Sequence, residues 1–240
     1  MIHIKDSIAY NVPEHIAFIV DGNRRWAQRN NKPISLGYRE SFERIKNIIL
    51  YAKESNISYI SFFVLSTENL NRDPKEVDSL MNFFCKSFKN MSPVMVQSNI
   101  KIIFSGRKEE LPDKVTKEIT ALSLATQNCK GITVNFCLNY GGKSEIADAC
   151  KSIAQKVSQN QLSPNEINVD TLEKYLYNEL PSVDFVVRTS GEKRISNFMI
   201  WQIAYAELYF VDKCFPDFDE ALFYDAINEF KSRKRRFGAD

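Results

Sequence analysis

Six short stretches of this chain are almost continuously apolar and rich in β-branched and aromatic side chains: residues 16–20, 59–65, 100–104, 132–138, 183–187 and 208–211. A strand with one face in water alternates apolar and polar positions, so unbroken runs of this length predict strands covered on both faces. Between the runs the spacing changes. Phe42, Ile45, Ile49 and Ala52 form a stripe at helical intervals, and Val77, Leu80, Met81, Phe84, Cys85 and Phe88 form a wider one. Ile146, Ala149, Ile153, Ala154 and Val157 form a third, and a last helix is expected over residues 220–235. Strand and helix alternating along the whole length predict one α/β domain, residues 1–240, with a mostly parallel central sheet flanked by helices. Residues 1–13 form an N-terminal segment, residues 231–240 a basic tail, and the polar stretch 158–168 a surface loop.

Composition narrows the class. With 240 residues, 44% apolar and 26% charged, the chain can bury a sizeable core and is neither disordered nor collagen-like. Its 32 basic and 30 acidic residues leave a net charge of +2, so no global field for nucleic acid is available and any anion site must be local. The five cysteines, Cys85, Cys129, Cys137, Cys150 and Cys214, are dispersed without a CxxC pair. That argues for a reducing compartment and against a disulfide framework or zinc site. The N-terminus lacks a signal-peptide core, and no uncharged apolar stretch approaches the roughly 20 residues of a membrane helix. A cytoplasmic location is expected, with membrane contact at most peripheral. His3 and His15, the two histidines, are read as structural.

In an open parallel sheet ligands gather beyond the carboxyl ends of the strands, so the segments after each run carry the chemistry. They are Asp21-Gly22-Asn23-Arg24-Arg25-Trp26, then Ser66-Thr67-Glu68-Asn69-Leu70-Asn71-Arg72, Ser105-Gly106-Arg107, Asn139-Tyr140-Gly141-Gly142 and Arg188-Thr189-Ser190-Gly191-Glu192-Lys193-Arg194-Ile195-Ser196-Asn197. Arginines, small hydroxyls and few acids on one sheet edge describe a site for phosphate groups. Asp21 can hold a divalent cation, and Arg24, Arg25 and Arg72 can fork onto phosphate oxygens. Arg188 and Arg194 flank a loop ending at Ser196, which is expected to cap a helix beginning near Asn197. Two such loops imply two phosphorylated substrates or one long one. No Walker A or GxGxxG sequence occurs.

Plainer readings stand beside these. Asp21 alone is better explained as a helix cap, Glu68 and Arg72 as a surface pair, and the tail as a solvated helix end. The Phe- and Met-rich stripe over 77–88 reads first as core, with a lipid wall as the sharper alternative. Glu207, at the edge of an apolar segment, is costly if buried alone and so must meet a cation or a metal.

At these loops the chain resembles the cis-prenyltransferase family over nearly its whole length, from Pro13-Glu14-His15 to Arg236-Phe237-Gly238. The resemblance rests on residues 21–27, 66–72 and 139–142 and, above all, on residues 188–210. It implies a hydrophobic channel between sheet and helices, and an enzyme that adds isopentenyl diphosphate to an allylic diphosphate, commonly farnesyl diphosphate. A lipid-carrier precursor for cell-wall glycans, such as undecaprenyl diphosphate, is the implied product. It also implies Mg2+ held by Asp21 and Glu207, with Asp21 and Asn69 catalytic and Asn69 acting as a proton relay. Gly22, Asn23, Arg24, Arg25, Trp26, Tyr38, Ser66, Thr67, Glu68, Leu70 and Arg72 fall at allylic-substrate positions. Arg188, Arg194, Ile195 and Ser196 fall at isopentenyl diphosphate positions. The terminal Arg236-Phe237-Gly238 matches an element that completes the site across a homodimer.

Three positions depart from the family pattern: Tyr38 stands where a His is usual, Ile34 where an Arg is usual, and Leu70 where an aromatic is usual. Val64, Cys137 and Leu138 are bulkier than expected along the channel. A short-chain or irregular-coupling synthase is therefore the alternative, with a phosphohydrolase behind it. A non-catalytic subunit ranks below these, because Asp21 and Glu207 are both present.

Overall fold

The computed structural model describes residues 12–237, so His3, Gly238 and most of the 1–13 segment lie outside the described residues. All six apolar runs are strands: β1 (His15–Ile19), β2 (Tyr59–Ser66), β3 (Lys101–Ser105), β4 (Thr133–Tyr140), β5 (Phe185–Arg188) and β6 (Glu207–Phe210). They form a single sheet in the order β3-β4-β2-β1-β5-β6, and every pairing is parallel. Burial on both faces explains the unbroken apolar character of the inner strands, but not of the edge strand β6, which is only partly covered and leaves Leu208 exposed. In β1, Ile16 and Phe18 enter the larger core, whereas Ala17 and Ile19 enter a second cluster on the other face.

The helices are α1 (Asn23–Arg29), α2 (Ile34–Glu54), α3 (Pro74–Gln97), α4 (Asp113–Thr126), α5 (Gly142–Ser158), α6 (Val169–Lys174) and α7 (Glu220–Ser232). The first two expected stripes bury Phe42, Ile45, Ile49 and Ala52 on α2, and Leu80, Met81, Phe84 and Phe88 on α3. On α5 only Ala149 and Ile153 of the expected stripe are buried, and Ala154 is exposed. Asp73 starts α3 by accepting the N–H groups of Lys75 and Glu76, with Pro74 at the first helical position. α7 stops at Ser232, short of residue 235, because the next arginines turn back to the sheet. Arg233 donates to Glu207 and to the Leu208 carbonyl, and Arg235, whose side chain is 14% exposed, pairs with Asp184. These two tail residues are therefore not a solvated helix end.

No helix begins at Asn197. Residues 196–205 form successive turns, with Ser196, Asn197 and Met199 all at positive φ, a conformation that a right-handed helix excludes. Ser196 caps nothing.

The second face of the sheet carries a buried polar chain. Asn178 Nδ2 donates to Ser105 Oγ, Ser105 to Asn135 Oδ1, and Asn135 Nδ2 to Ser61 Oγ. Ser61 then bonds His15 Nε2 at 2.8 Å, while His15 Nδ1 meets the Pro181 carbonyl at 2.9 Å. The carbonyl requires a proton on Nδ1, so Nε2 accepts from Ser61 and the ring is neutral. Burial lowers the His15 pKa to about 4 from its ordinary 6.5, against smaller opposing effects of Pro181 and Asp184. A depressed folded-state pKa gives stability that is complete above pH 6.5 and lost as pH falls toward 4. The gap is worth about 3 kcal/mol. Denaturant unfolding between pH 7.5 and 4.5 should show His15→Gln losing less stability than the parent chain; equal losses would remove His15 from the account.

Candidate active site

The chain runs from β1 outward to β2, on to β3 and β4, then crosses to the other side of β1 for β5 and β6. The strand order therefore reverses between β1 and β5, and the crevice beyond their carboxyl ends is the place where such sheets bind ligands. Asp21 leaves β1 there, and Arg188, which pairs in register with Ile19, ends β5.

These two residues are joined. Arg188 Nη2 donates to Asp21 Oδ2 at 2.8 Å, with Arg188 4% exposed and Asp21 29%. Arg188 Nη1 donates to the Arg194 carbonyl and to Ser196 Oγ, so one guanidinium ties the end of β1 to the 194–196 loop; its Nε–H has no partner. Thr189 Oγ1 accepts the Asp21 N–H and donates to the Asp21 carbonyl. Gly22 N–H donates to Asp21 Oδ1 at 2.7 Å. Gly22 has φ +99, and a Cβ there would lie 2.9 Å from Ser190 Cβ and 3.0 Å from Cys214. Only glycine lets the turn close against the 188–191 loop. Gly37 serves a neighbouring approach: a Cβ would sit 2.4 Å from the Asn23 carbonyl, so α2 can press on α1. Ser41 then holds Asn23 Oδ1 at 2.7 Å.

Each remaining arginine faces a carboxylate. Arg25 bonds Glu192, the Ser190 carbonyl and Ser190 Oγ, and Arg194 also pairs with Glu192. Arg24 and Arg72 both pair with Glu76. Tyr38 donates to Glu76 and accepts from Arg72; burial, offset by Arg72 and reinforced by Glu76, pushes its phenol pKa up. Ser66 and Asn69 cap each other, Asn69 N–H to Ser66 Oγ and Ser66 N–H to Asn69 Oδ1. Burial would raise the Glu68 carboxyl, but hydrogen bonds from its own backbone, Asn197, Ser66 and Thr67 outweigh it and hold the pKa below the usual range.

The cavity is about 810 Å³. Its wall includes Asp21, Gly22, Asn23, Arg24, Arg25, Tyr38, Ser66, Glu68, Asn69, Arg72, Arg188, Arg194 and Ser196, brought together as the sequence led one to expect. Its inner side is apolar (Ile19, Val20, Phe63, Val64, Leu80) and runs on into a gap of about 20 Å³ bounded by Phe42, Ile45, Phe83 and Phe84. Four of the expected substrate-contacting residues are not in the wall. Trp26 turns its Nε1–H to Asp217 at 2.7 Å, Leu70 packs on the larger core and Ile195 on the second cluster, and Thr67 lies toward Gly141. Cys137 belongs to the opposite face of the sheet. Arg107 is occupied by a bidentate bond to Asp148 on the β3 side.

Glu207 is not beside Asp21. It opens β6 opposite Phe185, which pairs with Ile16, whereas Asp21 follows the far end of β1. Five residues of strand, roughly 16 Å, separate the two levels. The cation Glu207 meets is Arg233, at 3.0 Å. Within one chain the two carboxylates cannot share an ion, and no group of three His, Cys, Asp or Glu side chains suited to a metal occurs among the described residues.

Asn197, Glu76 and Glu192 are the residues that sequence reading passed over. Asn197 joins three loops: its carbonyl accepts from Gly142, its Oδ1 from Lys143 N–H, and its Nδ2 donates to Glu68. The local signals are only an Asn at a turn and acids near arginines.

A family model described as putative undecaprenyl diphosphate synthase matches residues 19–238. An isoprenyl transferase of Fusobacterium nucleatum is 43% identical over 228 residues, 95% of this chain and 96% of that one. A geranylgeranyl-diphosphate-specific tritrans,polycis-undecaprenyl-diphosphate synthase of Thermococcus kodakarensis is 40% identical over 231 residues, 95% and 88% of the two chains. Among solved structures, lavandulyl diphosphate synthase from Lavandula x intermedia, in complex with dimethylallyl diphosphate, superposes with a TM-score of 0.92 at 34% identity, covering 95% of this chain and 99% of that one.

Proposed function

The chain is a prenyltransferase and belongs to the undecaprenyl diphosphate synthase family, and from that premise we propose that its cleft condenses isopentenyl diphosphate with an allylic diphosphate, farnesyl diphosphate being the expected primer. The observation that carries this reading is the pairing, in one cavity at the strand-order reversal, of five arginines with an apolar inner end. Arg24, Arg25 and Arg72, with Tyr38 and Asn23, are assigned to the allylic diphosphate. Arg188, Arg194 and Ser196 are assigned to isopentenyl diphosphate. Breaking the allylic C–O bond puts negative charge on the leaving diphosphate, and the guanidiniums gathered around the cleft by Glu76, Glu192 and Asp21 are placed to meet it. Asn69 is a poor base, being a neutral amide whose oxygen already receives the Ser66 N–H. It is assigned to relaying a proton toward a diphosphate oxygen.

The donor set suits Mg2+. Asp21 offers a hard, partly exposed oxygen, and magnesium is commonly bound by one or two carboxylates together with substrate phosphates. When bound, the ion would neutralise developing diphosphate charge. Glu207 is not assigned to that ion within its own chain. Tyr205, Leu208 and Phe237 are exposed large apolar residues close to Glu207, and Tyr205 touches Phe237. We assign this face to a second copy of the chain, with the tail reaching the partner's cleft. No helix among the described residues is long and apolar enough to cross a membrane.

A short-chain product is the second reading, favoured by the way the cavity's apolar end closes on Phe42, Phe83 and Phe84. One experiment addresses both: purified protein with isopentenyl diphosphate, Mg2+ and geranyl or farnesyl diphosphate, products separated by chain length. Long products support the first reading and products stopped after one or two additions the second. No elongation with either primer sinks the condensation itself.

A further inference from the structure

Glu76 lies in the first turn of α3, at the mouth of the cleft, and its side chain is 19% exposed. Its Oε1 receives the Tyr38 hydroxyl at 3.1 Å and Arg72 Nη1 at 3.4 Å, and its Oε2 faces Arg24 Nη1 at 3.4 Å. Among the described residues neither arginine has another carboxylate partner. One carboxylate therefore opposes both guanidiniums, one from α1 and one from the end of the 66–72 segment, at a place where a diphosphate should sit.

The geometry of these contacts is that of a partner easily exchanged. Each guanidinium meets Glu76 through one nitrogen at 3.4 Å, long for a charge-assisted bond, and Arg72 shares that same nitrogen with the Tyr38 hydroxyl. A diphosphate offers shorter, forked bonds and more charge. Arg24 and Arg72 are both exposed enough to swing, whereas Arg188, almost wholly buried, is not.

We infer that Glu76 is an exchange carboxylate for the allylic subsite: it holds Arg24, Arg72 and Tyr38 in the empty cleft, yields the two guanidiniums to an arriving diphosphate, and recaptures them as diphosphate departs. The inference rests on the assignment of Arg24 and Arg72 to the allylic diphosphate. It has a functional sense. Each condensation leaves inorganic diphosphate in this subsite, which must empty before the lengthened chain can occupy it. Two unopposed guanidiniums would bind that anion uniformly, tightening the complex without helping the bond to break. A competing carboxylate weakens substrate and leaving group alike and speeds the exchange.

Glu76→Gln tests this, because glutamine keeps the shape, an acceptor for Tyr38 and a good residue for the first helical turn, and removes only the charge. The readouts are calorimetric binding of farnesyl thiolodiphosphate and of inorganic diphosphate, with steady-state kinetics. Both probes should bind about threefold to tenfold tighter to the variant, the ratio expected from two half-exposed ion pairs. KM for the allylic substrate and kcat should fall together, inhibition by inorganic diphosphate should strengthen, and KM for isopentenyl diphosphate should not move. Glu76→Asp, which keeps the charge on a shorter arm, should bind both probes with affinities between those of the parent and Glu76→Gln. Weaker binding with a higher allylic KM would make Glu76 a mere support for the arginines and overturn the inference, as would unchanged binding. If the parent chain binds neither probe, the assignment of the subsite falls first, and the inference with it.

Discussion

Asp21→Asn is expected to lower turnover by about 10³-fold or more while the chain stays folded. Asparagine has the same outline, and its oxygen can still accept the Gly22 N–H that Asp21 Oδ1 accepts now. What disappears is the charge, in two relations at once. Arg188 loses its carboxylate partner, and a divalent ion loses the one hard oxygen the protein offers at the strand-order reversal. Removing a single preorganised electrostatic group from an active site commonly costs about 10²–10³ in rate. Asp21 serves as both ion ligand and anchor, so the upper end of that range or beyond is expected. The stability cost should be smaller, about 1–3 kcal/mol. Asp21 is partly exposed, and Arg188 keeps its bonds to the Arg194 carbonyl and Ser196. Single-turnover assays at saturating substrates and Mg2+, beside a denaturant titration, separate the two effects. A variant with more than a tenth of parental turnover would remove Asp21 from the chemistry; one that is inactive because it is unfolded would leave it only a structural role.

The fold was legible because burial on both faces writes itself into sequence as unbroken apolar runs, and every one of those runs is a strand. Position at the carboxyl ends then followed from the parallel sheet, which is why Asp21, the 66–72 segment and Arg188 fall together. What the sequence could not show is which face of a loop looks inward. Trp26 follows Arg25 directly, yet the rotation of about 100° per helical residue sends its indole to Asp217 and the guanidinium to Ser190 and Glu192. Glu207, an acid beside apolar residues, meets the cation that its setting called for in Arg233, whereas its role as a metal ligand was implied by the resemblance alone. Ser196 suited a helix cap, but Asn197 is held to the 142–143 turn through its carbonyl and its Oδ1, with positive φ at Ser196, Asn197 and Met199. Glu76 and Glu192 are marked in sequence only as acids near arginines. Their meaning comes from tertiary pairing with Arg24 and Arg25 of α1.

Arg188→Lys, nominally conservative, should cost about 10²–10³ in kcat/KM, with the loss expressed chiefly in KM for isopentenyl diphosphate. The native guanidinium reaches Asp21 Oδ2 with one nitrogen, and the Arg194 carbonyl and Ser196 Oγ with another. Those acceptors lie in different directions and belong to two segments. A planar fork serves them together, whereas an ammonium is a compact point charge on a differently shaped stem. If it stays with Asp21, the 194–196 loop is released, and with it Ser196, which is held at φ 50. If it follows the loop, Asp21 is left without its buried counter-charge. Arg194 and Ser196, the remaining groups assigned to isopentenyl diphosphate, are displaced in the first case. Asp21 is mispositioned in the second. Because the side chain is almost wholly buried, a drop of about 2–4 kcal/mol in stability should accompany the change, toward the lower end of what breaking a buried ion pair costs because Asp21 is partly in water. Arg24 and Arg72 are held by Glu76, and Arg25 by Glu192 and Ser190 as well as by Asp21, so binding of a thiolodiphosphate analogue of the allylic substrate should stay within about threefold of the parent. This asymmetry is the decisive readout. Equal weakening of both substrates in a stably folded variant would show that Arg188 braces the whole cleft, and would withdraw its assignment to one diphosphate.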